Sequence, residues 1–553
     1  MVAARLTSFS KFLITVLILA LIYFGGSYVY NNTSLGANLK QTVADAQSEA
    51  KSNAEATKNS TKETKPAKNV SAAVDKDGNK VLRVQLVTWG GYAPGLYFNK
   101  GGAANSRSRF FQDYGFKVDF QLNNDLDGAV AAWFAGEYDV LVQTADAFPL
   151  YTSREDMEEA NPKAFMQVDW SRGGDAIVAK RGIKTINDLK GKTIAVAAPS
   201  PAQTLLITSL EAAGLKYSDV TVLKTSDNFK AAEMFKAPEV DAAVVWSPDD
   251  LKAVQDVPGS KILVTTMEQS HIIADIMFAK SDFIDENKEM IDKFYEGWMK
   301  AVSEMDPIVE GSPDQAAKEA NRNEAAKYLG EFNGMGTNDG LDMMSVIKLT
   351  GHGDNKNFFG IDRSHTGQTG SDLYTKMAKK FYEIEDDVTE IAPSWRSAIY
   401  TGAVNAGETN LVGSQYGSEK SKVFKPAAGD KTAPAISNKP VSISFETGEF
   451  KLGDNAKTLI DLQFAETAKV FGNTKIRIEG NTDNVGKRDM NLRLSRQRAQ
   501  SVADYLQKQY RMDPNRFVII GNGPDKPVKG CEANKTESCK AQNRRTDFQL
   551  IAG

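Results

Sequence analysis

The stretch that most constrains the fold of this 553-residue chain is a strand, a tight turn and a helix between residues 475 and 506. Isoleucine occupies every second position of 475–479, the alternation expected of a half-buried strand. Residues 480–486 are rich in Gly, Asn and Asp and predict a turn. Apolar residues then recur along one face of a predicted helix: Leu492, Ala499, Val502 and Leu506.

Two charged residues of this unit suit a zwitterionic ligand. Asp483 lies in the turn and Arg498 lies in the helix, fifteen residues further on. A carboxylate accepts hydrogen bonds from an ammonium group, and a guanidinium binds a carboxylate in a two-pronged hydrogen bond. The alternative is that Asp483 only caps the turn and that Arg498 only solvates the helix.

Three separated blocks in this region, 480–486, 491–499 and 543–545, resemble the peptidoglycan-binding domain of the OmpA/MotB/Pal family. The resemblance covers about residues 440–553 and implies an α+β domain. It implies that Asp483 and Arg498 hold the diaminopimelate of the wall stem peptide. The motifs add four candidate peptidoglycan-binding residues: Asn481, Thr482, Asn543 and Arg544. Asn481 stands where His is more usual in the family.

The two cysteines, Cys531 and Cys539, lie in a polar loop without a nearby histidine. In an oxidising compartment this predicts a disulfide rather than a zinc site. With three histidines in the chain, we expect no metal site, no cofactor and no histidine-dependent nucleophile. Because no paired acid and base stand out, we do not expect an enzyme. The net charge of −4 gives no indication of nucleic-acid binding.

Residues 12–30 form an uncharged, apolar run of nineteen residues, long enough for a bilayer core of about 30 Å. Arg5 and Lys11 precede it and favour a cytoplasmic N-terminus. We therefore predict that residues 1–30 are a cytoplasmic stub and a single-pass inner-membrane anchor, with periplasmic domains beyond it. A cleaved signal peptide is the alternative. Residues 31–79 lack aromatic residues and predict a flexible linker.

Residues 80–416 alternate between strand-like and helical segments, which predicts an α/β domain with mostly parallel sheets. Ligands bind such sheets at the carboxyl ends of the strands. Polar and aromatic residues at those ends are the candidate ligand contacts: Trp89, Tyr92, Thr144, Ser200, Thr204 and Trp246. Trp89 and Trp246 as core residues, and Ser200 as a mere helix cap, are the alternatives.

A helix that starts after Ser200 would offer free backbone N–H groups to an anion. None of the five loop segments at the strand ends contains Arg or Lys, unless Arg172 or Lys180 folds in. The sequence therefore favours a singly charged or zwitterionic ligand over phosphate.

This region resembles the periplasmic substrate-binding proteins of ABC importers, in the nitrate/sulfonate/taurine group. The resemblance rests on blocks at 89–94, 136–140, 188–196 and 240–248. It implies two α/β lobes that close on a small ligand, with the second lobe at about residues 176–270. A second linker at 417–439 and the C-terminal domain at 440–553, beginning with a strand at 441–445, complete the predicted organisation.

Together these features predict a solute-binding protein that is anchored in the inner membrane and bound to peptidoglycan. It would bind a small anionic or zwitterionic ligand for delivery or sensing, with an ABC permease or another inner-membrane complex as a further partner. The alternative is a structural tether, or a stator-like subunit, whose binding-protein fold docks a protein. A proton-conducting stator helix needs an acid within the bilayer, and residues 12–30 contain none.

Overall fold

The computed structural model describes residues 71–553 except 421, 444 and 447. The predicted membrane span at 12–30 and most of the predicted linker at 31–79 lie outside these residues. Within the described part of the chain, every helix is too short or too polar to span a bilayer.

The described residues form seventeen strands: β1 (Ala73–Val74), β2 (Lys80–Leu86), β3 (Lys117–Leu122), β4 (Val140–Thr144), β5 (Pro162–Gln167), β6 (Asp169–Ser171), β7 (Asp175–Ala179), β8 (Thr193–Ala197), β9 (Thr221–Thr225), β10 (Ala242–Trp246), β11 (Lys261–Thr265), β12 (Asp275–Lys280), β13 (Ile347–Leu349), β14 (Ala435–Val441), β15 (Lys475–Asn481), β16 (Phe517–Gly523) and β17 (Thr546–Ile551).

The α-helices of the same residues are α1 (Ala93–Asn99), α2 (Arg109–Tyr114), α3 (Leu126–Phe134), α4 (Phe148–Thr152), α5 (Glu155–Glu158), α6 (Pro201–Ala212), α7 (Asn228–Lys236), α8 (Asp249–Asp256), α9 (Ser281–Glu286), α10 (Lys288–Met305), α11 (Gln315–Phe332), α12 (Thr337–Ser345), α13 (His352–Phe358), α14 (Gly370–Ile384), α15 (Gly402–Gly407), α16 (Asp454–Ile460), α17 (Glu466–Val470), α18 (Arg488–Tyr510) and α19 (Glu537–Asn543).

Two separate sheets form the two predicted lobes. The first lobe has the order β1-β2-β4-β12-β5, with β3 added beside β2, and the second has the order β11-β7-β10-β8-β9. The chain enters the second lobe at β7 and returns to the first at β12. Buried aromatic rings of α3, α10 and β12 fill the core of the first lobe, including Trp133, Trp298 and Phe278.

The prediction of mostly parallel sheets is wrong for the strands that connect the lobes. β12 runs antiparallel to both β4 and β5, and β7 runs antiparallel to β10 and β11. The physical reason is the path of the chain, because a strand that crosses from the other lobe enters its sheet from the opposite end. Parallel pairing is kept between β2 and β3, β2 and β4, β8 and β9, and β8 and β10.

The first lobe begins earlier than predicted, because residues 71–79 are not part of a free linker. Ala73 and Val74 pair with the start of β2. Asp75 closes the turn between the strands by accepting hydrogen bonds from the backbone of Asp77 and Asn79. It also pairs with Lys117 at 2.7 Å. This hairpin ties the chain to the first sheet.

The C-terminal domain is a four-stranded sheet, β14-β17-β15-β16, covered by α18. Ala499, Val502 and Leu506 of α18 are buried, as their spacing predicts. The first strand is Ala435–Val441, so the predicted strand at 441–445 is displaced toward the C-terminus. The ladder ends at Val441 because its partner, Thr546, is the first residue of β17.

The segment predicted as a second linker, 417–439, is packed rather than extended. Glu419 pairs with Arg172 at 2.9 Å, Asp430 pairs with Lys475 at 2.8 Å, and Phe424 is buried. These contacts hold the segment against both of the domains it joins.

The C-terminal domain contacts both lobes. Its Asn438 exchanges two hydrogen bonds of 2.8 Å with Asn187 of the second lobe. Its Tyr510 carbonyl accepts a hydrogen bond of 3.0 Å from Thr366, just ahead of α14, the helix that packs on α4 of the first lobe. Charged side chains of α14 add to the contact between the first lobe and the C-terminal domain. One example is Lys376, which lies 4.0 Å from Glu466 of the C-terminal domain.

Candidate functional site

The predicted peptidoglycan corner is present after β15, and its central ion pair differs from the expected one. Asp483 pairs with Arg544 through atoms 2.6 Å apart, and its second oxygen accepts a hydrogen bond from the backbone of Val485. The Asp483 side chain is 13% exposed and the Arg544 side chain is 43% exposed. The Asp483 carboxylate is therefore mostly covered, and Arg544 is the more exposed partner of the pair.

Arg498 of α18 lies at the same corner and is held by a loop that sequence reasoning did not assign to the site. Its guanidinium donates to the carbonyls of Glu449 and Glu446, at 2.9 and 3.2 Å, and lies 4.8 Å from the ring centre of Phe445. Burial lowers the pKa of Arg498, the Asp483 charge raises it, and the Arg544 charge lowers it. The corner thus combines one carboxylate with two guanidinium groups.

The other predicted peptidoglycan-binding residues, apart from Arg544, form hydrogen bonds within the C-terminal domain next to this corner. Asn481 is buried at the end of β15 and donates to Asp547 at 3.1 Å. The Thr482 hydroxyl donates to the Asp483 carbonyl at 2.8 Å. The Asn543 amide is buried and bonds the backbone of Val528 and Cys531. Of the four, Arg544 alone pairs with Asp483 in the structure.

The predicted disulfide is confirmed. Cys531 and Cys539 are bonded to each other. Because Asn543 bonds the Cys531 carbonyl, the bridge supports the segment that carries Arg544.

At the junction of the two lobes, the structure brings together four buried aspartates that are far apart in the chain. Asp146 follows β4, while Asp169, Asp175 and Asp275 are the first residues of β6, β7 and β12. We call these four residues the Asp cluster. Its members converge because all three crossing strands begin at the junction of the lobes.

The Asp cluster was not predicted, although three of its members share one sequence signal, an aspartate at the first position of a strand: β6, β7 and β12. Two of the predicted ligand-binding residues form hydrogen bonds with the Asp cluster. The Trp89 indole N–H donates to Asp169 at 3.0 Å, and the Tyr92 hydroxyl donates to Asp275 at 2.5 Å. Ser171 donates to Asp175 at 2.9 Å.

Burial disfavours the charged form of every carboxyl in the cluster. It raises the pKa of Asp146 to about 7, that of Asp175 to about 6 and that of Asp275 to about 7. The pKa of Asp169 is raised well above its usual range, by burial and then by the charge of Asp275. For Asp146 and Asp275, as for Asp169, the charge of another member of the cluster adds to the rise.

Of the four remaining predicted ligand-binding residues, two lie beside Asp146 of the Asp cluster and two lie at the ends of secondary-structure elements. Thr144 and Thr204 lie beside Asp146, and their hydroxyls partly oppose the rise in its pKa. Ser200 caps α6, since its hydroxyl accepts from Ala202 and donates to the Ala197 carbonyl. Trp246 is 45% exposed at the end of β10.

The two cations considered for the ligand site are engaged elsewhere. Arg172 forms a two-pronged pair with Glu419. The Lys180 ammonium donates to the Ala237 carbonyl at 2.9 Å. Over residues 71–553, leaving aside 421, 444 and 447, no three His, Cys, Asp or Glu side chains are arranged to hold a metal ion.

Two family models match the chain, one in each domain. Residues 103–306 match the model described as NMT1/THI5 like, and residues 444–544 match the OmpA family. The periplasmic aliphatic sulphonate binding protein SsuA from Escherichia coli aligns over 59% of this chain and 99% of its own, with 18% sequence identity and a TM-score of 0.43.

Two outer membrane proteins are among the curated relatives that the chain resembles. Outer membrane protein Omp38 of Acinetobacter baumannii is 37% identical over 116 residues, which are 21% of this chain and 31% of that protein. Outer membrane protein A of Bordetella avium is 30% identical over 157 residues, which are 28% of this chain and 74% of that protein. The chain therefore belongs to the OmpA family through its C-terminal domain, and it carries a binding-protein domain of the NMT1/THI5-like type ahead of it.

Proposed function

We propose that this is a cell-envelope protein that binds a small solute between its two lobes and binds peptidoglycan through its C-terminal domain. In this proposal residues 12–30 anchor the chain in the inner membrane and the described domains lie in the periplasm. The solute is delivered to an inner-membrane partner such as an ABC permease, or it is sensed. The corner formed by Asp483, Arg498 and Arg544 carries the proposal.

The charges of the corner match those of a diaminopimelate stereocentre. Its ammonium would pair with Asp483, and its carboxylate would pair with a guanidinium in a two-pronged hydrogen bond. Binding requires that Arg544 release Asp483. The Arg544 side chain is 43% exposed, and an ion pair with a solvated partner contributes only about 0–1 kcal/mol, so we expect this exchange to cost little.

A pull-down with isolated sacculi tests peptidoglycan binding. We expect Asp483→Ala and Arg498→Ala in the full chain to abolish retention, because losing one partner of a charged pair costs about 2–5 kcal/mol. Arg493→Ala is the matched control, since Arg493 is an exposed arginine of the same helix. If either variant at the corner is retained like the parent, peptidoglycan binding does not use this pair.

The second candidate function is a tether whose binding-protein fold docks a protein. It is favoured by the C-terminal domain, which contacts both lobes through Asn187 and Thr366 and so opposes their separation. Native mass spectrometry of the full chain distinguishes the two functions. A co-purified small molecule supports solute binding, whereas a chain without ligand in every preparation favours the tether.

A further inference from the structure

We propose that the ligand between the lobes carries a positively charged nitrogen, which it presents to the Asp cluster. This inference rests on the proposed solute binding and narrows it to cations and zwitterions. It starts from the balance of hydrogen-bond donors and acceptors at the junction of the lobes.

The junction has more acceptors than donors. Trp89, Tyr92 and Ser171 supply one hydrogen each to Asp169, Asp275 and Asp175. The further donors beside the four carboxyl groups, which together have eight oxygens, are the hydroxyls of Thr144 and Thr204 and the indole of Trp246. Among the described residues, both oxygens of Asp146 and one oxygen of Asp169 have no hydrogen-bond partner. An ammonium group has three hydrogens and accepts none, so it complements such a surface.

A second observation comes from the other lobe. Thr204, in the first turn of α6, is fully buried, and its hydroxyl lies beside Asp146, where it partly opposes the rise in the pKa of that carboxyl. Asp146 belongs to the first lobe and Thr204 to the second. Each lobe therefore contributes a buried oxygen to the same place, as expected for a group that is bound between them.

The electrostatics of the junction oppose a simple anion. Arg172 and Lys180 are held by Glu419 and by the Ala237 carbonyl, so neither neutralises the cluster. An anion at the start of α6 would lie close to Asp146. A buried charge needs a partner of the opposite sign, and in the absence of ligand the raised pKa values leave protons to neutralise these acids.

The aromatic residues beside the cluster suit the remainder of such a ligand. Trp89 and Tyr92 contact the acids through their polar atoms, so their rings stand next to the bound charge. An aromatic face attracts a cation and covers the apolar carbons attached to it. Trp246 lies at the rim, edge-on to Phe229 with ring centres 6.3 Å apart.

Matched ligands test the inference on the full chain by thermal shift and calorimetry. The probes are primary, secondary and quaternary amines of graded size, each with the analogue in which hydroxyl replaces the amine. One such pair is 2-aminoethanesulfonate and 2-hydroxyethanesulfonate. We expect at least one amine to bind, with its hydroxyl analogue about tenfold weaker or more, since one close opposite charge shifts an equilibrium by that order.

Two variants locate the effect. Asp146→Asn keeps the shape and removes the charge, and we expect it to abolish the preference for the amine. Thr204→Val removes only the hydroxyl beside Asp146 and should weaken binding of the amine by several-fold. Asp354→Asn is the control, because burial raises the pKa of Asp354 to about 6 at a position outside the cluster, where it caps α13. It should retain the preference.

The outcomes separate the inference from the proposed function. If a hydroxyl analogue or a simple anion such as nitrate binds as tightly as the amine, the inference is overturned and solute binding stands. If neither amines nor anions bind the full chain, the solute-binding function fails with it. An unchanged preference in folded Asp146→Asn and Thr204→Val protein would also overturn the inference.

Discussion

The aspartates of the two candidate sites differ in their burial and in whether they have a charged partner. In the C-terminal domain, Asp483 is partly exposed and pairs with Arg544. At the junction of the lobes, Asp146 is fully buried, and neither of its oxygens has a hydrogen-bond partner among the described residues. The first carboxylate is ready to exchange its partner at the surface. The second is reached only when the lobes separate.

The difference shows that the same side chain needs a different neutralising group in each setting. Water and a mobile arginine satisfy an exposed carboxylate at little cost. A buried carboxylate without a cation keeps its proton or requires a ligand, because its charge is poorly solvated. Glu419 is a third case, because its side chain is 29% exposed and its partner Arg172 is the more buried of the two, with an 11% exposed side chain.

The largest expected effect on stability is at Asp146, the fully buried aspartate. Asp146→Asn should raise the free energy of unfolding at pH 8 by about 1–3 kcal/mol, the order of an unsatisfied buried polar group. With a folded pKa of about 7 against an ordinary value of 3.8, folded protein binds the extra proton between these values. Stability of the parent therefore falls as the pH rises through this window.

Denaturant unfolding of the full chain at pH 8 and pH 5 measures this effect. The gain from Asp146→Asn should shrink at pH 5, where the folded parent is protonated. Asp354→Asn shows whether any buried carboxamide gives the same result. A gain that is equal at both pH values would show that the charge of Asp146 is not the cause.

An intermediate effect of opposite sign is expected at Glu419. Arg172 and His271 lower the pKa of Glu419 despite its burial, so its ionised form stabilises the fold above its ordinary pKa of 4.5. Glu419→Gln should lose about 1–2 kcal/mol at pH 7, the order of a hydrogen bond to a charged group.

This loss should shrink as the pH falls below 4.5, because the unfolded parent then takes up a proton while the folded parent still keeps Glu419 ionised. Unfolding of parent and variant at pH 7 and pH 3 provides the measurement. Glu408→Gln is a suitable comparison, since Glu408 pairs with Lys356 in a more exposed setting. A loss of the same size at both pH values would point to packing rather than to the ion pair.

The smallest effect on stability is expected at Arg544, the partner of Asp483. Arg544→Ala should change the free energy of unfolding by less than about 1 kcal/mol, because the ion pair with Asp483 is solvated. The same substitution should weaken retention on sacculi less than Arg498→Ala does, since Arg544 must release Asp483 before the ligand binds. Equal loss of retention in both variants would instead assign Arg544 a direct contact with peptidoglycan.

The sequence by itself determined both domain types, because their motifs are short and local. The alternation at 475–479, the turn at 480–486 and the helix face of α18 were recognisable within windows of a few residues. The disulfide followed from there being two cysteines. The position of Asp483 and Arg498 at one corner was also predictable, since a single turn joins their strand and helix.

Only the tertiary structure decided which charges have partners. The Asp cluster joins positions 146 and 275, which are adjacent only because β12 returns from the second lobe to pair with β4. The reversal of the crossing strands, the packing of 417–439 and the choice of Arg544 as the partner of Asp483 likewise depend on contacts distant in sequence. Desolvation is a property of the surroundings, so a pattern of residue types cannot distinguish a buried, protonated aspartate from a helix cap.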